Sequence, residues 1–155
     1  MTGTFPRPGE DELLHRYWTE QGSPVLWLEV KIGVGGPGEW PNKQSHRRLD
    51  GLMIPGLFPE RGESALRHWG RANADLADQV RGRTVELIEV KSHLNFDVIG
   101  QAIAGADMFS RAYPDHGLIR QVAVVGGDSD PALDWVCAKR GIDVVRYSPP
   151  SSRPD

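Results

Sequence analysis

A single α/β domain, built on a mixed β-sheet flanked by helices, is what the order of hydrophobic patterns predicts. Three observations carry that expectation. Residues 25–32 alternate as a half-buried strand does, with Leu26, Leu28, Val30 and Ile32 on one face and Trp27, Glu29 and Lys31 on the other. Residues 96–113 gather Val98, Ile99, Ala102, Ile103, Ala106 and Phe109 on one broad apolar face, the pattern of a helix lying on a sheet. Residues 117–125 hold the nearly unbroken run Leu118-Ile119 and Val122-Ala123-Val124-Val125, which suits a strand covered on both faces.

Taken in order, residues 1–8 carry two prolines and a glycine and read as a loose arm. Residues 9–21 form a helix. Leu13, Leu14, Tyr17 and Trp18 recur at helical spacing, and Glu10, Asp11 and Glu12 complement the dipole of the first turn. Gly22 and Pro24 end it. After the strand at 25–32, the glycine- and proline-rich residues 33–42 make a loop. A second strand runs over 47–54 with Arg48, Asp50, Leu52 and Ile54 on one face, before Pro55 and Pro59 break the backbone. Residues 60–82 read as an insertion, mildly helical at 64–69 and again at 72–80. The third strand spans 84–92.

Beyond the helix at 96–113 and the strand at 117–125, Asp128 or Ser129 can cap a short helix that carries Asp130-Pro131 in its first turn. Gly141 closes that helix, residues 142–147 form a last strand, and residues 148–155 make a proline-serine tail. The order is therefore α-β-β-β-α-β-α-β within one domain at 9–147. The first three strands follow one another without a long crossover and predict an antiparallel meander. The later βαβ segments predict parallel pairing.

Composition narrows the function. The chain has 155 residues and a formal charge of −3, which argues against a strongly basic clamp for nucleic acid. It leaves local basic patches possible. The single cysteine, Cys137, rules out an internal disulfide and a cysteine-based zinc cluster, and it suits a reducing cytoplasm. No apolar run is long enough for a membrane span, and the first residues hold no secretory h-region.

Chemistry points to the third strand, Thr84-Val85-Glu86-Leu87-Ile88-Glu89-Val90-Lys91-Ser92. Glu89 and Lys91 share one face of it, about 6.8 Å apart along the strand. A second Glu-Val-Lys triplet stands at 29–31. A hard divalent cation needs a further carboxylate from a neighbouring element, and only the later triplet follows a strand that carries one, Asp50. Lys43, His46, Arg47 and Arg48 form a basic cluster leading into that strand, fit either for phosphate contacts or for a solvated loop. His15, His68, His93 and His116 have no metal-ligand spacing. The glycine-rich residues 33–38 lack the Gly-Lys-Ser/Thr ending and following helix of a phosphate loop.

Arg48-Leu49-Asp50-Gly51 followed by Glu89-Val90-Lys91 resembles the acid and acid-x-lysine motifs of the PD-(D/E)XK nuclease superfamily. The resemblance spans residues 9–147 and implies a restriction-endonuclease-like fold. The second-strand motif lacks the proline before its aspartate, and the stretch between Asp50 and Glu89 requires 56–82 to be an insertion. By the same resemblance, Asp50, Glu89 and the carbonyl of Val90 would bind Mg²⁺ or Mn²⁺. Lys91 would orient the attacking water and stabilise developing charge. Gln101, in the helix after the third strand, would position a water or the lysine, and Glu12 on the first helix would help hold metal-bound waters. Lys43, Arg47 and Arg48 would contact the nucleic acid.

The implied activity is that of a Mg²⁺-dependent endonuclease acting on DNA, with RNA left open as a substrate and a homodimer or larger complex as a possible assembly. Two other readings stand beside it. One is the same fold without activity, serving as a binding or assembly module. The other is an unrelated α/β domain in which Asp50 and Glu89 never meet.

Overall fold

The computed structural model describes residues 9–33, 38, 40, 47–68, 73–127 and 130–147. Its elements are α1 (Glu10–Glu20), β1 (Leu26–Ile32), β2 (Arg47–Met53), β3 (Leu66–His68), α2 (Asn73–Val80), β4 (Val85–Lys91), α3 (Phe96–Ala112), β5 (Ile119–Gly126), α4 (Pro131–Arg140) and β6 (Ile142–Tyr147). They form one six-stranded mixed sheet in the order β3-β1-β2-β4-β5-β6. The expected meander is there: β1 pairs antiparallel with β2, and β2 with β4. The expected parallel half is there too, with β4 beside β5 and β5 beside β6. Among the described residues no helix is long and apolar enough to cross a membrane.

The insertion contributes more than the two helical stretches expected of it. Residues 66–68 form an edge strand that pairs parallel with β1, so the helix expected at 64–69 is corrected. Its alternating Leu66-Arg67-His68, with Leu66 buried, fits a pleated edge as well as a helical turn. The helix expected at 72–80 is α2. Its Leu76 and Val80 join the core cluster that also holds Trp27, which is wholly buried rather than on an exposed face of β1.

Helices cover both faces. On one face, Leu14 and Tyr17 of α1 pack with Leu26, Leu28, Met53, Ile88 and Val90. Gly51 permits this approach, because a Cβ there would stand 3.1 Å from Leu26 Cδ1 and 3.6 Å from Leu14 Cδ1. On the other face, Ala106 and Phe109 of α3 join Val30, Ile32, Leu49 and Leu87. Farther along that face, Val98, Ile99 and Ala102 of α3 meet Ala123 and Val125 of β5, together with Cys137 of α4. β5 thus buries alternate residues on both faces, as its unbroken apolar run predicts, with Val122 and Val124 facing the α1 layer.

The helix ends follow local chemistry. Asn95 caps α3, its side chain accepting the Val98 N–H at 3.0 Å. Asp130 caps α4 with Pro131 in the first turn, so the cap falls after the two residues expected to supply it, and Asp128 and Ser129 lie outside the described residues. Gly141 ends α4 at φ +71°, the left-handed conformation that costs glycine least.

One expectation about the first two strands fails instructively. Leu26 and Leu28 pack toward α1, but Val30 and Ile32 pack toward α3. The alternation breaks at Glu29, whose φ is +55°. A left-handed residue turns the strand over without shifting its pairing, since Leu28 still faces Gly51 and Val30 faces Leu49. β2 breaks step at the matching place. Leu49 and Leu52 share the α3 layer although they are three residues apart, while Met53 faces α1. The single face expected for Arg48, Asp50, Leu52 and Ile54 is therefore interrupted at Asp50-Gly51.

Candidate active site at a fork in the sheet

β2 and β4 run together only over part of their length. Gly51 faces Ile88, Leu52 faces Leu87 and Met53 faces Glu86. The next position would bring Asp50 opposite Glu89, and there the ladder stops. Beyond that point β2 stays paired with β1 through Leu49, Arg48 and Arg47. β4 stays paired with β5 through Glu89, Val90 and Lys91. The sheet forks, and the two acids sit at the apex.

Side chains take over where the backbone bonds end. The Asp50 carboxylate accepts the Val90 N–H at 2.8 Å. Glu89 Oε2 stands 3.5 Å from the Asp50 backbone nitrogen, a long contact. Each acid thus reaches to the other's strand and supplies an acceptor that a parted ladder would otherwise lack. Asp50 is 9% exposed and Glu89 2%. Two carboxylates that deep need compensating positive charge. The two acids therefore come to neighbouring places on adjacent strands, each in contact with the other's backbone.

Arg47 supplies part of that charge. Its Nη2 lies 3.2 Å from Glu89 Oε1 and donates at 3.5 Å to the Gln101 carbonyl oxygen on α3. The expected role of Gln101 was a side-chain one, but the backbone of this residue is what ties it to the acids. Lys91, at the open end of β4, is partly exposed and forms no ion pair or hydrogen bond among the described residues.

The remaining expected residues divide. Arg48 is exposed at the same end of the sheet. It stands directly across from Lys31, and neither makes an ion pair among the described residues. Like charges opposed on neighbouring strands repel, so this pair adds no cross-strand stabilisation. Lys31 was missed in the sequence because its triplet was set aside as the less promising of two. Lys43 and His46 lie outside the described residues.

Glu12 is exposed, whereas its neighbour Asp11 is the buried acid of that turn, at 6%. α1 runs against β4. Tyr17 bonds Glu86 at one end, and Leu13 Cδ1 lies 3.7 Å from where a Cβ on Gly126 would stand at the other. The first turn of α1 therefore lies at the sheet end that carries Lys91.

Can this donor set hold a divalent ion? Among the described residues no group of three or more His, Cys, Asp or Glu side chains is placed to bind a metal. A full protein cage, of the kind calcium sites use, is not present there. Two buried carboxylates suit Mg²⁺ or Mn²⁺, which keep several waters and take few protein ligands. The chemistry of the donors fits that narrower case.

The opposite end of β4 carries a different acid. Glu86 is buried, accepts the Tyr17 hydroxyl proton, and has Arg120 Nη1 3.7 Å from its Oε2. Burial, then the bond to Glu86, pushes the Tyr17 phenol well above its ordinary pKa. A cavity of about 140 Å³ beside it is lined by Met53, Pro55, Phe58 and Arg120. Glu86 is satisfied by these neighbours and faces away from the fork.

No protein-family model matches the chain, and neither the curated proteins nor the solved structures give a significant match.

Proposed function

We propose that the protein is a metal-dependent nuclease of the restriction-endonuclease-like fold, hydrolysing phosphodiester bonds in DNA. The observation that carries this reading is the fork. Asp50 and Glu89 come from adjacent strands to one apex, and Lys91 follows Glu89 on the same strand with its ammonium unengaged. An ordinary surface ion pair would have joined Glu89 to Lys91. Here Glu89 turns inward to Arg47 and Lys91 does not.

In this reading Asp50, Glu89 and the Val90 carbonyl hold Mg²⁺ or Mn²⁺. When bound, such an ion polarises the scissile phosphate and lowers the pKa of water beside it. The protein's own groups do the rest. Lys91 donates to the attacking water or to a non-bridging phosphate oxygen as negative charge develops there. The low-dielectric apex, walled by Leu49 and Val90, strengthens that interaction relative to water. Arg48 and Lys31 hold the strand's phosphates and set its register without reading bases.

The test is cleavage of plasmid, single-stranded, branched and RNA substrates with Mg²⁺ or Mn²⁺. We expect cleavage of at least one DNA form, lost on chelation and in Asp50→Ala and Lys91→Ala. Silence across the whole panel from the folded wild type would reject the reading. A second reading, the same fold as an inactive binding module, draws on one observation: the guanidinium of Arg47 already sits against Glu89.

A further inference from the structure

Arg47 makes a one-nitrogen ion pair with a buried carboxylate. It touches Glu89 through a single nitrogen, Nη2, at 3.2 Å. A guanidinium normally grips a carboxylate through two parallel bonds. Its Nε is buried and has no acceptor among the described residues. The second contact, to the Gln101 carbonyl, is at the limit of a hydrogen bond at 3.5 Å. The carboxylate it holds is almost wholly buried, while the arginine side chain itself is 25% exposed. One partner is fixed in the sheet, and the other has a route to solvent.

We infer that Arg47 is the resident counter-ion of Glu89 and is exchanged for a divalent cation when the site loads. This rests on the metal-site reading above and deepens it. Glu89 Oε1 cannot serve Arg47 and a metal at ligand distance with equal strength, because each cation withdraws the same lone pairs. Arg47 also places a positive charge beside the position any divalent ion must take. Its presence lowers metal affinity and keeps the buried Glu89 compensated while the site is empty of metal. Arg47 is thus a positioning residue that acts through Glu89, and the contact that favours an inactive module becomes the resting state of an active one.

The experiment is a calorimetric titration of Mn²⁺ into the full chain, without nucleic acid. Four proteins are compared: wild type, Arg47→Met, Arg61→Met and Asp50→Asn. Methionine keeps the aliphatic bulk of the arginine stem and removes the guanidinium. Arg61→Met changes the net charge equally at an exposed turn. Mn²⁺ binding should tighten by on the order of tenfold in Arg47→Met, stay within about twofold of wild type in Arg61→Met, and vanish in Asp50→Asn.

Binding that depends on Asp50 but is unchanged or weaker in Arg47→Met overturns the exchange and leaves the metal site standing. Equal tightening in Arg61→Met also overturns it, since net charge would then be the cause. Absence of Mn²⁺ binding in both wild type and folded Arg47→Met removes the metal site and the exchange together. Far-ultraviolet circular dichroism on each variant secures the comparison. Should Arg47→Met fail to fold, Arg47→Gln, which keeps a donor for the Gln101 carbonyl, is read the same way.

Discussion

Asp50 holds two roles that pull in opposite directions. Its carboxylate caps the Val90 N–H, yet it stands buried beside a second buried carboxylate. Asparagine keeps an acceptor for Val90 and removes the repulsion. Asp50→Asn should therefore melt at or above the wild-type temperature while losing Mn²⁺ binding, a trade of stability against function. A lower melting temperature with metal binding intact would contradict both roles. Lys91 separates differently. Lys91→Met should leave Mn²⁺ affinity near wild type and lower single-turnover cleavage by about 10²–10³-fold, the usual loss when a positioned donor to developing charge is removed. At the far end of β4, Tyr17→Phe strips a donor from the buried Glu86 carboxylate and should cost about 2 kcal/mol in urea unfolding.

All three tyrosines of the chain share a further property: burial holds their phenols above the ordinary value, with Tyr113 pushed up to about 12. Hydrogen bonds to Glu86 and Glu20 add to the effect at Tyr17 and Tyr147. The unfolded chain, with phenols near their reference pKa of about 10, gives up these protons first. Their contribution to stability is thus intact below about pH 10 and is lost as pH rises through the folded values. Tyrosinate absorbance should appear together with unfolding rather than before it. A tyrosine titrating near its reference value in the native protein would refute that assignment.

At the scale of elements, the sequence was readable where periodicity was clean and unreadable where a single residue broke it. The apolar face of α3 and the continuous run of β5 carried over directly, because nothing in either competes with burial. Asp50 and Glu89 were legible through chain order, an acid-bearing strand before an acid-x-lysine strand. Glu29 was not. Glutamate carries no signal for positive φ, so the inversion of β1 is visible only in three dimensions. Asp11 escaped notice for a similar reason, since three consecutive acids in a first turn look alike until the sheet buries one of them. β3 was too short to outweigh the mild helical pattern around it.

The left-handed Glu29 stands at the register position of Asp50 and stores strain of about 1–3 kcal/mol next to the site. Glycine adopts that φ without a Cβ clash. Glu29→Gly should stabilise the fold by about 0.5–1 kcal/mol in denaturant unfolding. Destabilisation would mean that the side chain, not the backbone, sets this kink.

For the whole molecule, the proposed activity on a polyanion has to be reconciled with a net charge of −3, and the forked sheet offers a way to do so. The acids that lower the charge include the two gathered at the apex, where the proposed divalent ion would offset them. The half-buried Lys31 and the exposed Arg48 stand at the same sheet end, so in the proposed reading attraction is local. Binding to DNA should accordingly weaken steeply with salt, and Lys31→Ala with Arg48→Ala should flatten that slope. The account's central claim is that the apex of the fork cuts phosphodiesters with a divalent ion. Its most direct test is the substrate panel run with Mn²⁺ on wild type and on Asp50→Asn in parallel. Metal-dependent cleavage by the first and none by the second is the predicted result. Equal cleavage by both, or none by a folded wild type that binds Mn²⁺, would contradict it.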